Sequence, residues 1–394
     1  MSALPTSTAS EKAIEPMPFD YQPLGRLVFG AGSLARIGEL TRELGGNHIL
    51  LVTDPGIEAA GHPQKAVEFL KTAGLDVAIF DGVEENPESR HVARGVAAAK
   101  KLGADFLIAV GGGSSMDCAK GINFVLTNGG TIADYKGLGK ATKPMLPSIG
   151  VPTTSGTGSE AQSYALIADE SSHLKMACGD RKAAFRVSIL DPELTVSQPP
   201  AVTAITGIDA LAHAVESFVC TRRSPISQAF SMAAWRHLEP NFERVLSTPH
   251  DLAARGSMQL GAYFAGMAIE ASMLGAAHAC ANPLTAHYGT THGVAVGIML
   301  PHVIRFNGAN AAFMYGELMH GNSHCNGEPP AEALARRISK LMQAAGLPEH
   351  LAQCGVSRSI LPLLAEEANA QWTARFNPRP VTELELLGLY EAAW

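Results

Sequence analysis

The sequence predicts two folded parts: an α/β domain built on a parallel sheet, followed by an all-α domain. Three observations predict this. Up to about residue 199, short apolar runs alternate with helical stretches, the rhythm of a parallel sheet covered on both faces. After Pro199-Pro200, Ala, Leu, Met and His dominate and β-branched runs fade, so helical periodicity takes over. Between two of the early elements stands a glycine-rich turn of the kind that joins a strand to a helix. The boundaries read from these changes are a flexible tail over 1–20, an α/β domain over 21–199 and a helical domain over 200–394.

The elements follow in order. His48 to Asp54 is a near-continuous apolar run that stops at Pro55-Gly56, and a helical segment spans Lys65 to Ala73. Val77–Phe80 reads as a strand and His91–Leu102 as an Ala-rich helix. Asp105–Val110 is the next strand, ending in Gly111-Gly112-Gly113. Met145–Val151 and Val187–Leu190 read as later strands. Their apolar character on every position marks strands buried on both faces.

Composition narrows the class of function. The chain has 394 residues and a formal charge of −7, with Arg181-Lys182 and Arg222-Arg223 as mere pairs and no basic cluster. Nucleic acid and anionic membrane are therefore not expected partners. The start is rich in Ser, Thr, Ala and Pro without an apolar core run, unlike a signal peptide or a membrane span. The six cysteines, Cys118, Cys178, Cys220, Cys280, Cys325 and Cys354, are scattered and form no Cys-x-x-Cys pair. That usage suits a reduced, cytoplasmic protein.

Gly111-Gly112-Gly113-Ser114-Ser115-Met116-Asp117 follows a strand and opens a helical run. Such a turn lets backbone approach a ligand, and the helix N-terminus offers free N–H groups to a pyrophosphate. Met116 stands where the last glycine of Gly-x-Gly-x-x-Gly would be, and a glycine turn with no ligand remains an alternative. Pro152-Thr153-Thr154-Ser155-Gly156-Thr157-Gly158-Ser159-Glu160 gathers hydroxyls and glycines that can bond ribose or phosphate oxygens, or can simply cap the next helix. Asp54 ends an early strand, and no Arg or Lys follows in Pro55-Gly56-Ile57-Glu58. A carboxylate there accepts ribose hydroxyls and repels a 2′-phosphate, which favours NAD over NADP.

Asp209, His213, His278 and His292 form the second candidate site. Asp209 and His213 are four apart and share one helix face. His278 and His292 are too distant for one helix, since the gap would be about 21 Å, so the chain must turn between them. Pro283 through Gly289-Thr290-Thr291 supplies breakers, and Thr291 can cap a helix running from His292 to Pro301. A carboxylate with three imidazoles suits a divalent first-row metal. Ordinary packed or surface histidines are the alternative.

Five stretches in order carry a family resemblance. These are Gly-Gly-Gly-Ser-x-x-Asp, Pro-Thr-Thr-x-Gly-Thr-Gly-Ser-Glu, Asp191-Pro-Glu-Leu-Thr195, Thr206-Gly-Ile-Asp-Ala-Leu-x-His-Ala-x-Glu216 and His292-Gly-Val-Ala-x-x-Ile-x-Leu-Pro-His-Val303. From about Pro23 to the C-terminus the chain resembles the iron-dependent (group III) alcohol dehydrogenases, which include lactaldehyde reductase and propanediol dehydrogenase types. The resemblance implies a dinucleotide-binding α/β domain and a helical catalytic domain with the site in the cleft. It implies that Asp209, His213, His278 and His292 hold Fe(II), with Zn(II) equally compatible with the donors. Gly112, Gly113 and Ser114 would bind the pyrophosphate, and Thr153, Thr154 and Thr157 the nicotinamide half. Lys175 would reach the cofactor ribose, Asp54 the adenosine ribose, and Asp117 would support the glycine turn. The implied reaction is NAD-dependent oxidation of a primary alcohol or diol, or aldehyde reduction, in a homodimer or larger homo-oligomer.

Departures from the family pattern bear on the substrate. Where many relatives carry a second histidine, credited with proton transfer, this chain has Asn282, which cannot relay a proton in that way. His287 is the nearby candidate to substitute. Ile269 stands for a substrate-side aromatic, with Glu270 beside it, and Tyr164 closes the altered stretch after Glu160. Three other readings stay open. One is a zinc enzyme of the glycerol dehydrogenase or dehydroquinate-synthase kind. The others are a metal-dependent hydrolase and a nucleotide-binding homologue without turnover.

Overall fold

The computed structural model describes residues 18–170, 175–319 and 327–394. Most of the expected N-terminal tail and Cys325 lie outside the described residues. The first half contains strands β1 (Arg26–Phe29), β2 (His48–Val52), β3 (Asp76–Phe80), β4 (Phe106–Gly111), β5 (Gly137–Leu138), β6 (Ser148–Pro152), β7 (Tyr164–Ala168), β8 (Lys175–Gly179) and β9 (Val187–Leu190). Helices α1 (Ile37–Glu43), α2 (Pro55–Ala59), α3 (His62–Thr72), α4 (Ser89–Leu102) and α5 (Gly113–Asn128) alternate with them. The second half is helical: α6 (Pro200–Val219), α7 (Pro225–Ser247), α8 (Leu252–Glu270), α9 (Ala276–Tyr288), α10 (His292–Met319), α11 (Pro330–Ala344), α12 (Leu361–Ala370) and α13 (Glu383–Ala393).

The main sheet is six-stranded in the order β1-β9-β6-β4-β2-β3, and its ladders are parallel. Alternation along each strand sends side chains to opposite faces. Leu50, Val52, Leu107 and Ala109 pack with Val92 and Ile122 of α4 and α5. Ile49, Leu51, Ile108 and Val110 pack with Ile37, Leu40 and Leu70 on the other face. Both layers are closed to water, which is why the strands read as unbroken apolar runs.

The strand order positions the site. From β2 the chain moves outward to β3, then returns to lay β4 on the other side of β2 and continues to β6 and β9. The order therefore reverses between β2 and β4. Helices leave in opposite directions there, and a crevice opens beyond the carboxyl ends of those two strands. Asp54 follows β2 and Gly111–Gly113 follow β4, so both lie at that crevice.

Several expectations shift. The sequence reading omits β1, a four-residue edge strand held against β9, and the smaller sheet β5-β8-β7. These strands are only two to five residues long, and their pairing partners rather than their own patterns define them. Pro283 does not break the chain; it lies inside α9, and Gly289, at φ 62°, ends that helix. Pro301 likewise does not end α10, which runs to Met319. An interior proline costs about 3 kcal/mol. Burial of Val296, Leu300, Val303 and Ile304 in the helical core offsets that cost.

Among the described residues one helix, Pro200–Val219, is long and apolar enough to cross a membrane by length and composition, but 83% of its apolar window is buried inside the protein. It is the central strut of the helical half, packed through Ile208, Leu211 and Val215.

Glu160 ends the hydroxyl-rich loop and is buried, and burial pushes its carboxyl from 4.5 up to about 7. The folded chain therefore holds this proton more tightly than the unfolded chain. Its stabilising effect is complete below about pH 4.5 and is lost as pH rises through about 7. Urea unfolding midpoints of the wild type should fall across that window, by at most about 3 kcal/mol in stability. Glu160→Gln should flatten this dependence; an unaltered slope would show that Glu160 does not cause it.

Candidate metal and nucleotide site

Helix α6 places Asp209, His213 and Glu216 at i, i+4 and i+7, on one face. Asp209 is 5% exposed, and its Oδ1 lies 3.5 Å from His213 Nε2, 3.5 Å from His278 Nε2 and 3.9 Å from His292 Nε2. His278 comes from the first turn of α9 and His292 from the first residue of α10. The turn at Gly289 folds these two helices back on each other, which resolves the separation along the chain. Ligand atoms of Asp209, His278 and His292 all lie within 4.8 Å of one another. The His213 ring stacks on His278, centroid to centroid 4.8 Å, beside that trio rather than within it.

The donor atoms are unspent. Asp209 Oδ1, His213 Nδ1, His278 Nε2 and His292 Nδ1 are buried with no hydrogen-bond partner. Asp209 Oδ1 and His278 Nε2 face each other at 3.5 Å, whereas His213 and His292 turn Nε2, not Nδ1, toward that oxygen; buried polar atoms left without partners are costly unless a ligand completes them. One carboxylate and neighbouring imidazoles fit a divalent first-row ion. Burial opposes ionisation of Asp209, but His213 and the other imidazoles around it prevail and hold its carboxyl well below the usual range. Burial lowers His213 to about 4 and His292 to about 3, the latter helped by the Lys175 charge, so both stay neutral as ligands must. His278 is pushed up to about 9: burial works against its charge, and Glu216 and Asp209 outweigh it.

The nucleotide side is built from the crevice. Gly112 precedes α5 and Gly113 and Ser114 open it, so the free N–H groups of a 16-residue helix face that crevice. A Cβ on Gly113 would come within 2.7 Å of Thr157 Cγ2, so glycine lets the hydroxyl-rich loop close over the turn. Thr154 lies against Gly112, and Thr153 N–H donates to Gly111 O at 3.0 Å. Gly158, at φ 60°, packs on Gly266 of α8, where a Cβ would meet the Gly266 Cα at 2.7 Å. The loop thereby joins the glycine turn to the helical half. Asp54 caps α2 through Ile57 N–H at 3.1 Å and accepts from Ser115 Oγ at 3.1 Å. Lys175 opens β8, with its charge felt by Asp117, Asp209 and His292.

Other expected residues fall differently. His287 lies nine residues beyond His278 on α9, about 13 Å along the axis and half a turn round, and its Nε2 pairs with Glu367 at 2.8 Å on the surface. It does not face the metal residues and cannot substitute there. Asp117 does not touch the glycine turn; it accepts from Ser159 Oγ at 2.5 Å and Leu166 N–H at 3.2 Å. Its support reaches the turn only through the hydroxyl-rich loop. Glu270 is not free to face substrate, because both oxygens accept from Ser163, at 2.9 and 2.7 Å. Ile269 is buried beside it. Asn282, one turn after His278 on the same face, donates to Gln371 Oε1 at 3.0 Å. Tyr164 stacks on Trp372 at 6.0 Å, a contact between the two halves.

Sequence reasoning missed four residues. Lys120, 1% exposed, donates to Ser159 O, Ser159 Oγ and Tyr164 O at 2.7–2.8 Å and staples the loop to α5. Gln371 and Trp372 reach Asn282 and Tyr164 from a distant segment with no local signal. Glu216 accepts from His278 Nδ1 at 2.5 Å; its i+7 spacing from Asp209 was the available clue.

Residues 25–192 match the family profile described as iron-containing alcohol dehydrogenase, and residues 203–394 match the C-terminal profile of the same family. The chain is 36% identical to 1,3-propanediol dehydrogenase of Klebsiella pneumoniae, over 95% of this chain and 99% of that one. The crystal structure of a 1,3-propanediol oxidoreductase superposes with a TM-score of 0.93 at 34% identity, covering 96% of this chain and all of the other. A sulfoacetaldehyde reductase from Bifidobacterium kashiwanohense, solved in complex with NAD+, superposes at 0.87 with 27% identity, covering 96% and 99%.

His278→Ala should lower bound metal and cut alcohol oxidation by at least about 100-fold, while circular dichroism stays that of the wild type. Metal analysis showing full occupancy together with normal turnover in this variant would remove His278 from the ligand set.

Proposed function

The chain belongs to the iron-containing alcohol dehydrogenase family and is a metal-dependent alcohol dehydrogenase. On that premise we propose that it uses NAD to oxidise a small primary alcohol or diol, or to reduce the corresponding aldehyde. The observation that carries this reading is the cluster of Asp209, His278 and His292, with orphaned atoms on Asp209 and His278, in a chain that also carries a glycine turn at the switch point of a parallel sheet.

Asp209, His213, His278 and His292 are the proposed ligands, with Fe(II) as the family metal and Zn(II) compatible with the same donors. When bound, the metal supplies a Lewis acid to the alcohol or carbonyl oxygen, and the nicotinamide takes or gives the hydride. The α5 N-terminus holds the pyrophosphate through Gly112, Gly113 and Ser114. Thr154 and Thr157 lie against that turn and, with Thr153, would line the nicotinamide half, while Lys175 would reach the cofactor ribose. Held between two packed halves, cofactor and substrate need not be brought together by chance encounter. Asn282 can bond a substrate hydroxyl through its amide but cannot exchange the reaction's proton.

NAD is favoured over NADP by Asp54, whose carboxylate stands at the crevice and would repel a 2′-phosphate. The described cysteines are all free thiols, which supports a reducing, cytoplasmic setting. A homodimer or larger homo-oligomer is the proposed assembly; β1 is an edge strand with Phe29 exposed, a surface suited to a second copy.

The deciding assay is nicotinamide reduction across short alcohols and diols, with the chain loaded with Fe(II) or Zn(II). Reduction with an alcohol excludes the hydrolase and inactive-homologue readings, and its absence across the panel would defeat this one. Asp54→Gly should raise kcat/KM for NADP relative to NAD by about 10-fold or more. Unchanged selectivity between the two cofactors would count against the ribose role.

A further inference from the structure

We propose that Glu216 is the positioning residue of the metal site, fixing both the backbone and the ring tautomer of His278. The inference rests on His278 being a metal ligand, as in the reading above.

Helix α9 begins without a cap of its own: Gly275 provides no side-chain bond to the first turn. The first N–H groups of a helix need acceptors from elsewhere. Ala276 N–H donates to Asn377 Oδ1 at 3.3 Å, and Ala277 N–H donates to Glu216 Oε1 at 2.7 Å. Glu216 reaches across from α6, is 4% exposed, and lies where the positive end of a helix favours a carboxylate. Its other oxygen, Oε2, is 2.5 Å from His278 Nδ1. A Cβ at Gly275 would come within 3.0 Å of Glu216 Oε1, so the absent side chain leaves room for this approach.

The chemistry of the pair fixes the tautomer. An ionised carboxylate only accepts, so Nδ1 must carry the proton and donate it. The nitrogen that gives up its proton to a metal is then Nε2. That is the His278 atom which lies 3.5 Å from Asp209 and has no hydrogen-bond partner. One carboxylate thus holds residue 277's backbone and residue 278's ring, and aims Nε2 at the position the ion takes. Because Asp209, His213 and Glu216 share one face of α6, a single helix sets two ligands directly and orients a third from the neighbouring helix.

Glu216→Gln separates the capping contribution from the tautomer. The Gln carbonyl can still accept from Ala277 N–H, but its amide would donate to Nδ1. That forces the proton onto Nε2 and removes the lone pair. Zn(II) affinity of the full chain, measured by competition with a chromophoric chelator, should fall by about 10-fold or more. Circular dichroism of the metal-free variant should match that of the wild type, showing that the fold is kept. Equal Zn(II) affinity in the variant and the wild type would overturn the proposal. Failure of the wild type to bind Zn(II) at all would instead overturn the metal reading beneath it. Should the variant not fold, nitrogen-15 spectra of the Zn(II)-loaded wild type decide. A proton on His278 Nδ1 protected from exchange supports the assignment; a proton on Nε2 refutes it.

Discussion

Asp209 is the constraint around which the site is built. A carboxylate taken almost fully out of water is costly unless it is paired or bound to a cation. Here three imidazoles surround it, two of them held neutral, and one of its oxygens has no partner. The third, His278, favours its charged form beside Glu216 and Asp209, and a bound cation would take the place of the proton on its Nε2. The rest of the helical half serves this geometry. Helix α6 is buried on nearly every side, α9 and α10 fold back at Gly289, and their first turns deliver His278 and His292 to the same spot.

The second dependence is the loop from Pro152 to Glu160. It touches the glycine turn through Thr157, the helical half through Gly158 and Gly266, and α5 through Ser159, Lys120 and Asp117. It is therefore the joint between the nucleotide crevice and the metal residues. A hydride passes only between atoms in contact, so the relative placement of these halves matters as much as either one. The buried Lys120 is costly to desolvate, and three short bonds at its ammonium offset that cost.

Much of this was legible before folding. The strands at 48–52, 76–80, 106–111 and 187–190 stand within one or two residues of where apolar runs placed them. Both glycine turn and hydroxyl-rich loop reach the crevice because each directly follows a strand of the parallel sheet. Asp209 and His213 needed only the helical repeat to be put on one face. Proline misled the reading at Pro283 and Pro301, because burial of the flanking helix outweighs the local cost of a lost bond.

The sequence by itself determined the alternation of elements, the two halves and the residue types able to bind nucleotide and metal, since these depend on periodicity and local chemistry. Tertiary structure alone decided which of those residues meet. It brought His278 and His292 to Asp209, turned His287 to the surface, and occupied Glu270 with Ser163. It also supplied Glu216 as the partner of His278 and Trp372 as the neighbour of Tyr164. The physical reason is that a side chain's partner is fixed by helix crossings and loop closures between segments far apart in the chain, and no local pattern encodes such a crossing.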